Sequence, residues 1–346
     1  MPKDKRAAVR RRLLRWYKVQ RRDLPWRRSR DPYAIWVSET MLQQTQVKTV
    51  LRYYGKFLER FPDVQALARA SLGQVLLLWS GLGYYYRAVN LRRAAQKIVR
   101  VHGGRLPEDF DALRSLPGVG SYTAGAIASI AYGKAYPAID ANARRVLLRL
   151  FGARDAPTQN ALAAALLRRV NPGDFNQALM ELGATICTAK APRCVECIAS
   201  SFCAARTESA GAIASLNQQR LRKTVWPIAI VRCRGKILIR RRGRAGLLAN
   251  LWELPGRERQ PGETDRTVIE RELNPLRLRR YGIKKLGEFH HAITYRRIRA
   301  PLYLCDLTSS HNPRLLTANW RWVAPRKLHA YASSSMTAKA LAFLSR

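Results

Sequence analysis

The sequence predicts two domains of different class in one chain: an all-α body over residues 1–206 and an α+β domain over 224–346, joined by a linker at 207–223. Three observations lead there. Segments of helical periodicity, separated by glycine and proline turns, run from the N-terminus to a stretch reading ALMELGATIC. Four of the six cysteines then crowd into residues 187–203. After a small, polar stretch without a core signal, apolar residues begin to alternate with period two. At 346 residues the chain is long enough for two real cores.

Charge narrows the partners. The net charge is +40, with 37 basic and 15 acidic side chains in residues 1–222 and 26 against 8 in residues 223–346, so both halves are basic. Such a field suits a polyanion, and 47% hydrophobic content argues against a disordered basic tail. Charge alone leaves open a ribosomal or RNA-coating protein. No apolar run approaches the roughly twenty residues that span a bilayer. The opening MPKDKRAAVRRR has the composition of a transit peptide, but it runs straight into LLRWYKVQ with helical periodicity. It is read as the first helix of a soluble, intracellular protein.

The cysteines Cys187, Cys194, Cys197 and Cys203 have the spacing C-x6-C-x2-C-x5-C. Four thiolates so close in sequence can close on a soft metal centre. Disulfides are disfavoured, because Cys233 and Cys305 sit singly in apolar runs and no signal peptide opens the chain. Cysteine count does not decide between zinc and iron.

Along the helical part, Leu24-Pro25-Trp26-Arg27 forms a turn, followed by a helix with apolar positions at Ile35, Trp36, Met41, Leu42 and Val47. Glu39 lies among them, where shelter would raise its pKa towards neutrality; an ion-paired surface glutamate is the alternative. Gln43, Gln44, Thr45 and Gln46 make a polar patch with no place in a buried helix. VLLLWSGLGYYYRAVNLRR at 75–93 predicts two helices around a Gly-Leu-Gly turn. Three consecutive tyrosines cannot all face one core, so at least one is exposed. An exposed aromatic at such a turn can wedge into a duplex, whereas the others pack a helix seam. Leu116-Pro117-Gly118-Val119-Gly120 joins two helices as a helix-hairpin-helix, whose backbone N–H groups suit a phosphate. The small residues Ala124, Gly125, Ala126 and Ala128 allow close helix packing. Asp140 opens another helix, where an N-cap is the default role, worth about 1 kcal/mol.

After the linker, VWPIAIVRC, a turn at Arg234-Gly235 and KILIRRR predict a β-hairpin. Further strands are expected near 281–293, 296–307 and 320–323, and helices near 264–273 and 335–345.

LPWR followed by WVSETMLQQTQV, together with the cysteine spacing directly after ALMELGATIC, resembles the endonuclease III and MutY group of DNA repair glycosylases. The pieces occur in the group's order over nearly the full chain. The resemblance implies a helix-hairpin-helix glycosylase body with a barrel module at about 28–136 and an iron-sulfur module formed by 1–27 and 137–206. It implies one 4Fe-4S cluster on the four cysteines, with Lys190, Arg193 and Arg206 around it. The implied partner is double-stranded DNA containing adenine opposite 8-oxoguanine or guanine, bound by a monomer. Glu39 and Asp140 fall on the catalytic carboxylates, which protonate the leaving base and stabilise the sugar cation, with Asn142 orienting them. Tyr122 stands where relatives with lyase activity have a lysine, which implies base removal without efficient strand cleavage. Arg27, Glu39 and Glu181 fall in the pocket for the extruded adenine. Leu42, Gln44, Thr45, Leu82 and Tyr84 fall at the opened stack, and Gly118 and Gly120 at a phosphate.

The C-terminal part, with AGLLANLWELPG at 245–256, resembles the Nudix-like domain of the same group, which reads 8-oxoguanine. His291, Ile293, Thr294 and Tyr295 fall at its lesion loop, where Phe-Ser-His is usual. Arg271-Glu272-Leu273-Asn274-Pro275 lacks the closing glutamate pair of a Nudix hydrolase, so pyrophosphate hydrolysis is not expected. Ala141 replaces the glycine of the usual Asp-Gly-Asn-Val. The rivals are an endonuclease III-like glycosylase and lyase acting on oxidised pyrimidines, opposed by Tyr122, and a catalytically silent lesion-binding protein.

Overall fold

The computed structural model describes residues 3–167, 171–207, 221–276, 278, 281–307 and 319–345; most of the expected linker, 208–220, lies outside them. In chain order the α-helices are α1 (Lys3–Gln20), α2 (Pro32–Leu42), α3 (Val47–Arg60), α4 (Val64–Arg69), α5 (Leu72–Leu78), α6 (Tyr86–Val101), α7 (Phe110–Arg114), α8 (Ser121–Ile130), α9 (Ala141–Phe151), α10 (Ala156–Leu167), α11 (Pro172–Thr185), α12 (Ala204–Thr207), α13 (Asp265–Leu273) and α14 (Ser335–Leu341). The strands are β1 (Arg222–Val225), β2 (Ile228–Cys233), β3 (Lys236–Arg241), β4 (Trp252–Glu253), β5 (Tyr281–Ile293), β6 (Arg296–Leu307) and β7 (Trp320–Val323). Among the described residues no helix is long and apolar enough to cross a membrane.

Packing divides the chain into one unit of Met1–Ala70 with Asn90–Asn217 and another of Ser71–Val89 with Gln218–Arg346. The segment 71–89, expected within the helical body, therefore groups with the C-terminal residues. Its side chains show why: the hydroxyls of Ser80 and Tyr85 both donate to the carbonyl of Ser333, at 2.6 and 3.3 Å.

In the first unit, α2 is buried all round from Tyr33 to Met41, the pattern of a central helix. Its start is fixed by Asp31, whose carboxylate accepts from the Tyr33 and Ala34 N–H groups, and by Pro32 at the first position. The buried hydroxyls of Ser38 and Thr40 donate back to the Ile35 and Trp36 carbonyls, so neither is left without a partner. A second core gathers α1, α9, α10 and α11 around Leu13, Tyr17, Leu147, Phe175 and Leu182, with Cys187, Cys197 and Cys203 packed against it. Helix α11 lies close to α9 because Gly183 has no side chain: a Cβ there would stand 2.7 Å from Asn142 Cβ.

In the second unit a seven-stranded sheet runs β1-β6-β2-β3-β4, with β5 on β6 and β7 on β3. Strand β2 explains its two-sided burial: Ile228 and Ile230 face a core with Met336 and Ala340 of α14, while Ala229, Val231 and Cys233 face one with Ile269 and Leu273 of α13. The β2–β3 turn has Arg234 and Gly235 both at positive φ, the conformation that matches the strand twist.

Candidate active site and cysteine loop

Helix α2 delivers Glu39 into the interior, where it is 6% exposed. Its Oε2 accepts a 2.5 Å hydrogen bond from the Tyr122 hydroxyl of α8, which also lies 3.3 Å from Met180 Sδ. No cation stands at ion-pair distance from Glu39 among the described residues. Burial pushes its pKa up to about 7, with the negative charge of Asp140 adding to the rise and the Tyr122 hydrogen bond and Arg27 opposing it.

Asp140 caps α9, accepting from the Ala143 N–H at 2.7 Å and from Asn142 Nδ2 at 2.9 Å. Burial raises its pKa as well, against these bonds and the charge of Arg145, which favour the anion. The Asn142 amide is oriented in turn, since its Oδ1 accepts from Arg145 Nη2 at 2.8 Å. Arg145 also donates to the carbonyls of Gly183 and Cys187. Glu39 is thus a carboxyl that keeps a proton near neutrality, whereas Asp140 carries hydrogen bonds and a neighbouring arginine that favour its anion.

Glu181 contrasts with both. Its Oε1 accepts from Arg22 N and Nε, and its Oε2 from Arg22 Nη2 and Arg27 Nη2 at 2.8 Å. These bonds and charges outweigh the cost of burial and hold its pKa down to about 2. Its oxygens are therefore committed to arginines, and what it offers a pocket is a fixed Arg27 guanidinium rather than a free carboxylate.

At the end of α2, Leu42 and Thr45 are half-buried, whereas Gln44 is exposed and has φ of +56°, a strained conformation for a residue with a side chain. Gln43 Nε2 donates to Thr123 Oγ1 at 3.1 Å and so faces α8. Gly118, at φ +78°, and Gly120 are exposed, and α8 starts at Gly120 without a side-chain cap, leaving its first N–H groups open. In the 71–89 segment Leu82 is buried, Tyr85 is buried and Tyr86 is 55% exposed. Leu82 thus contributes to the core and presents almost no surface to a duplex. Half-buried Tyr84 has φ of +46°, in a turn whose Gly83 carbonyl accepts from Arg87 Nη2 at 3.1 Å.

All four cysteines of the 187–203 loop are free thiols. They are close enough to act on one another: burial raises the Cys197 and Cys203 pKa values, and the neighbouring thiols add to the rise. Among the described residues no three His, Cys, Asp or Glu side chains close tightly enough to hold a single metal ion. Arg149 Nη1 lies 3.6 Å from Cys187 Sγ and donates to the Thr188 carbonyl at 2.6 Å. Of the basic residues expected nearby, Arg193 is paired with Glu196, and Lys190 and Arg206 are exposed. Arg145 and Arg149 belong to no motif noted in the sequence. The signal for them is spacing, since Asn142, Arg145 and Arg149 recur at three and four residues on one face of α9.

In the second unit Ile293 ends β5, and Thr294 and Tyr295 form the β5–β6 turn. Ile293 packs against the sheet core, Thr294 is exposed at φ +52°, and the Tyr295 ring lies 4.8 Å from the Arg296 guanidinium. His291 is half-buried, with Nε2 3.4 Å from Ser335 Oγ. The remaining acidic side chains of the Nudix-like stretch are taken by arginines: Glu253 by Arg240 and Arg242, Glu263 by Arg257 and Arg271, Glu272 by Arg240 and Arg257.

Residues 37–172 match the HhH-GPD superfamily of base excision DNA repair proteins, and residues 228–343 match the NUDIX domain. The human adenine DNA glycosylase is 35% identical over 94% of this chain and 72% of its own length. That of Mycobacterium tuberculosis is 46% identical over 54% of this chain and 64% of its own. Among solved structures, a thermostable thymine-DNA glycosylase, 31% identical, superposes with a TM-score of 0.56 over 59% of this chain and 97% of that one. Endonuclease III trapped on DNA, 20% identical, shares the fold with a TM-score of 0.53 over 60% of this chain and 98% of that one. Because the likeness to the human protein runs through both the helical body and the sheet domain, this chain belongs to the adenine DNA glycosylase family.

Proposed function

We propose that this chain removes adenine standing opposite 8-oxoguanine or guanine in double-stranded DNA, by acid-catalysed hydrolysis of the N-glycosidic bond. The observation that carries the reading is Glu39, a buried carboxyl with a pKa raised to about 7 and no cation at ion-pair distance among the described residues. It is able to donate a proton to a leaving base at neutral pH. Asp140, hydrogen-bonded by Ala143 and Asn142, supplies the negative charge that stabilises the cation developing on the sugar. Glu39, once deprotonated, takes a proton from the attacking water, which leaves an abasic site. Tyr122 holds the Glu39 carboxyl and brings no amine to form a Schiff base, so the reaction ends at base release.

Arg27, fixed by Glu181, lines the adenine pocket. Exposed Gln44 and half-buried Tyr84, both on strained backbone at turns, open the stack, with Leu42 and Thr45 beside Gln44. The free N–H groups behind Gly118 and Gly120 hold a phosphate. In the second unit the turn at Ile293, Thr294 and Tyr295, with His291, meets the lesion base; packed Ile293 leaves Thr294 and Tyr295 as its exposed groups. Residues 1–206 act as the catalytic body and 224–346 as the lesion-recognition domain of a monomer.

The donor set at Cys187, Cys194, Cys197 and Cys203 fits one 4Fe-4S cluster: four free thiols, mutually close, on a loop anchored by Arg145 and Arg149. When bound, the cluster ties the loop together and calls for no redox step. Cys197→Ser is expected to lose the visible iron-sulfur absorbance and to bind duplex poorly; full retention of both contradicts the assignment.

Single-turnover release from duplexes carrying adenine opposite 8-oxoguanine, adenine opposite guanine, and thymine opposite guanine tests the function. Adenine release, faster opposite 8-oxoguanine, is expected, with none from the thymine duplex. Equal adenine rates on the two substrates discard lesion sensing, and absence of adenine release discards the proposal.

A further inference from the structure

The second unit contains a cleft of about 630 Å³ next to the β5–β6 turn, and its lining is strongly basic. Its floor is the end of the sheet, where parallel β1 and β6 set Lys223 beside Arg297 and Val225 beside Arg299, and β5 sets His290 opposite Arg299. Its wall is the 258–261 stretch, with Glu258 and Arg259. Period-two alternation places Ile298 and Ala300 in the core and leaves Arg297 and Arg299 on the other face.

The cations here differ in what they already bind. Arg222 is paired with Glu258, Arg259 with Asp265 and Arg299 with Glu288. Lys223 and Arg297 have no carboxylate within reach among the described residues, yet they are direct neighbours in the sheet register. Like charges side by side on adjacent strands destabilise a sheet, and an anion between them removes the penalty. The cleft lies beside the turn at Thr294 and Tyr295: Arg222, one of its lining residues, donates its N–H to the Tyr295 carbonyl at 2.8 Å.

We propose that this cleft holds the phosphodiester backbone of duplex DNA, with Lys223 and Arg297 as its phosphate contacts, one strand being anchored beside the turn that meets the lesion. The inference rests on the reading of the chain as a DNA glycosylase. It adds a sequence-independent anchor in a domain otherwise taken to read a base.

The test uses the full chain and the double variant Lys223→Gln with Arg297→Gln. Duplex affinity is measured across salt concentrations, and pyrophosphate binding is measured alongside as the soluble-phosphate probe. Each lost phosphate contact lowers the slope of log affinity against log salt by about 0.9, so the double variant is expected to lose about 1.8. Its melting temperature should be unchanged or higher, since a like-charge pair is removed. Arg297→Lys, which keeps the charge, should keep the slope, so a loss in the double variant cannot be put down to a damaged strand. An unchanged slope overturns the proposal. Lost pyrophosphate binding with an unchanged duplex slope also overturns it and makes the cleft a site for soluble phosphates. Failure of the wild type to release adenine would sink the glycosylase reading, while the salt slope would still report on the cleft.

Discussion

Carboxylates in the two units are handled in opposite ways. In the helical unit Glu39 is enclosed without a cation at ion-pair distance among the described residues, and its pKa rises to about 7. In the sheet unit Glu253, Glu263 and Glu272 are each occupied by arginines, drawn from Arg240, Arg242, Arg257 and Arg271. Glu263 is accordingly held down to about 2 by Arg257. An acid short of counter-charge keeps a proton to give; one surrounded by guanidinium has its oxygens already taken. The same residue type is chemistry in one unit and scaffold in the other. Glu181 shows that the scaffold treatment also occurs in the helical unit, where Arg22 and Arg27 hold it to about 2.

Substitutions can break this contrast. Glu39→Gln should lower single-turnover base release by about 10³-fold while leaving duplex binding intact, because only the proton donor is lost. Near-full release in that variant would put the acid elsewhere. Gly183→Ala acts one step back: its new Cβ would stand 2.7 Å from Asn142 Cβ and 2.8 Å from its carbonyl oxygen. Displacing Asn142 should slow release roughly tenfold, about 1.4 kcal/mol in the barrier. Stability should fall by about 1–3 kcal/mol, as for other overpacked sites. Glu253→Gln should do the reverse. Partly buried Arg240 and Arg242 lose a shared carboxylate, so the sheet unit is expected to lose roughly 1–3 kcal/mol by denaturant melting, with base release per folded molecule unchanged. A slowed chemical step there would mean that the sheet unit takes part in catalysis.

Much of the fold was legible because its signals are local. Proline and aspartate start α2, the cysteines fall within one loop, and the β5, β6 and β7 boundaries follow period-two runs ended by turn residues. Within the polar patch after α2, Gln44 has a strained backbone and an exposed side chain. What pattern did not reveal is pairing across long separations. Arg22 meets Glu181 across 159 residues, and no local periodicity marks a carboxylate that will meet two arginines. The 71–89 segment is another case: its helical pattern says nothing of Ser333, which draws Ser80 and Tyr85 into the second unit. The resemblance places Leu82 at the opened stack, but it is only 5% exposed and packs in the core.

The central claim is that Glu39 acts as a protonated acid near neutrality while Asp140 is ionised. The direct measurement is the pH profile of wild-type single-turnover adenine release at saturating enzyme, from pH 5 to 9. A carboxyl raised to about 7 is protonated below that value and loses its proton above it. The rate should therefore fall about tenfold per pH unit above pH 7, and fall again at the acid end as Asp140 takes up a proton. A rate that stays level up to pH 9, or that declines from an ordinary carboxylate pKa near 4.5, would contradict the assignment of Glu39 as the acid.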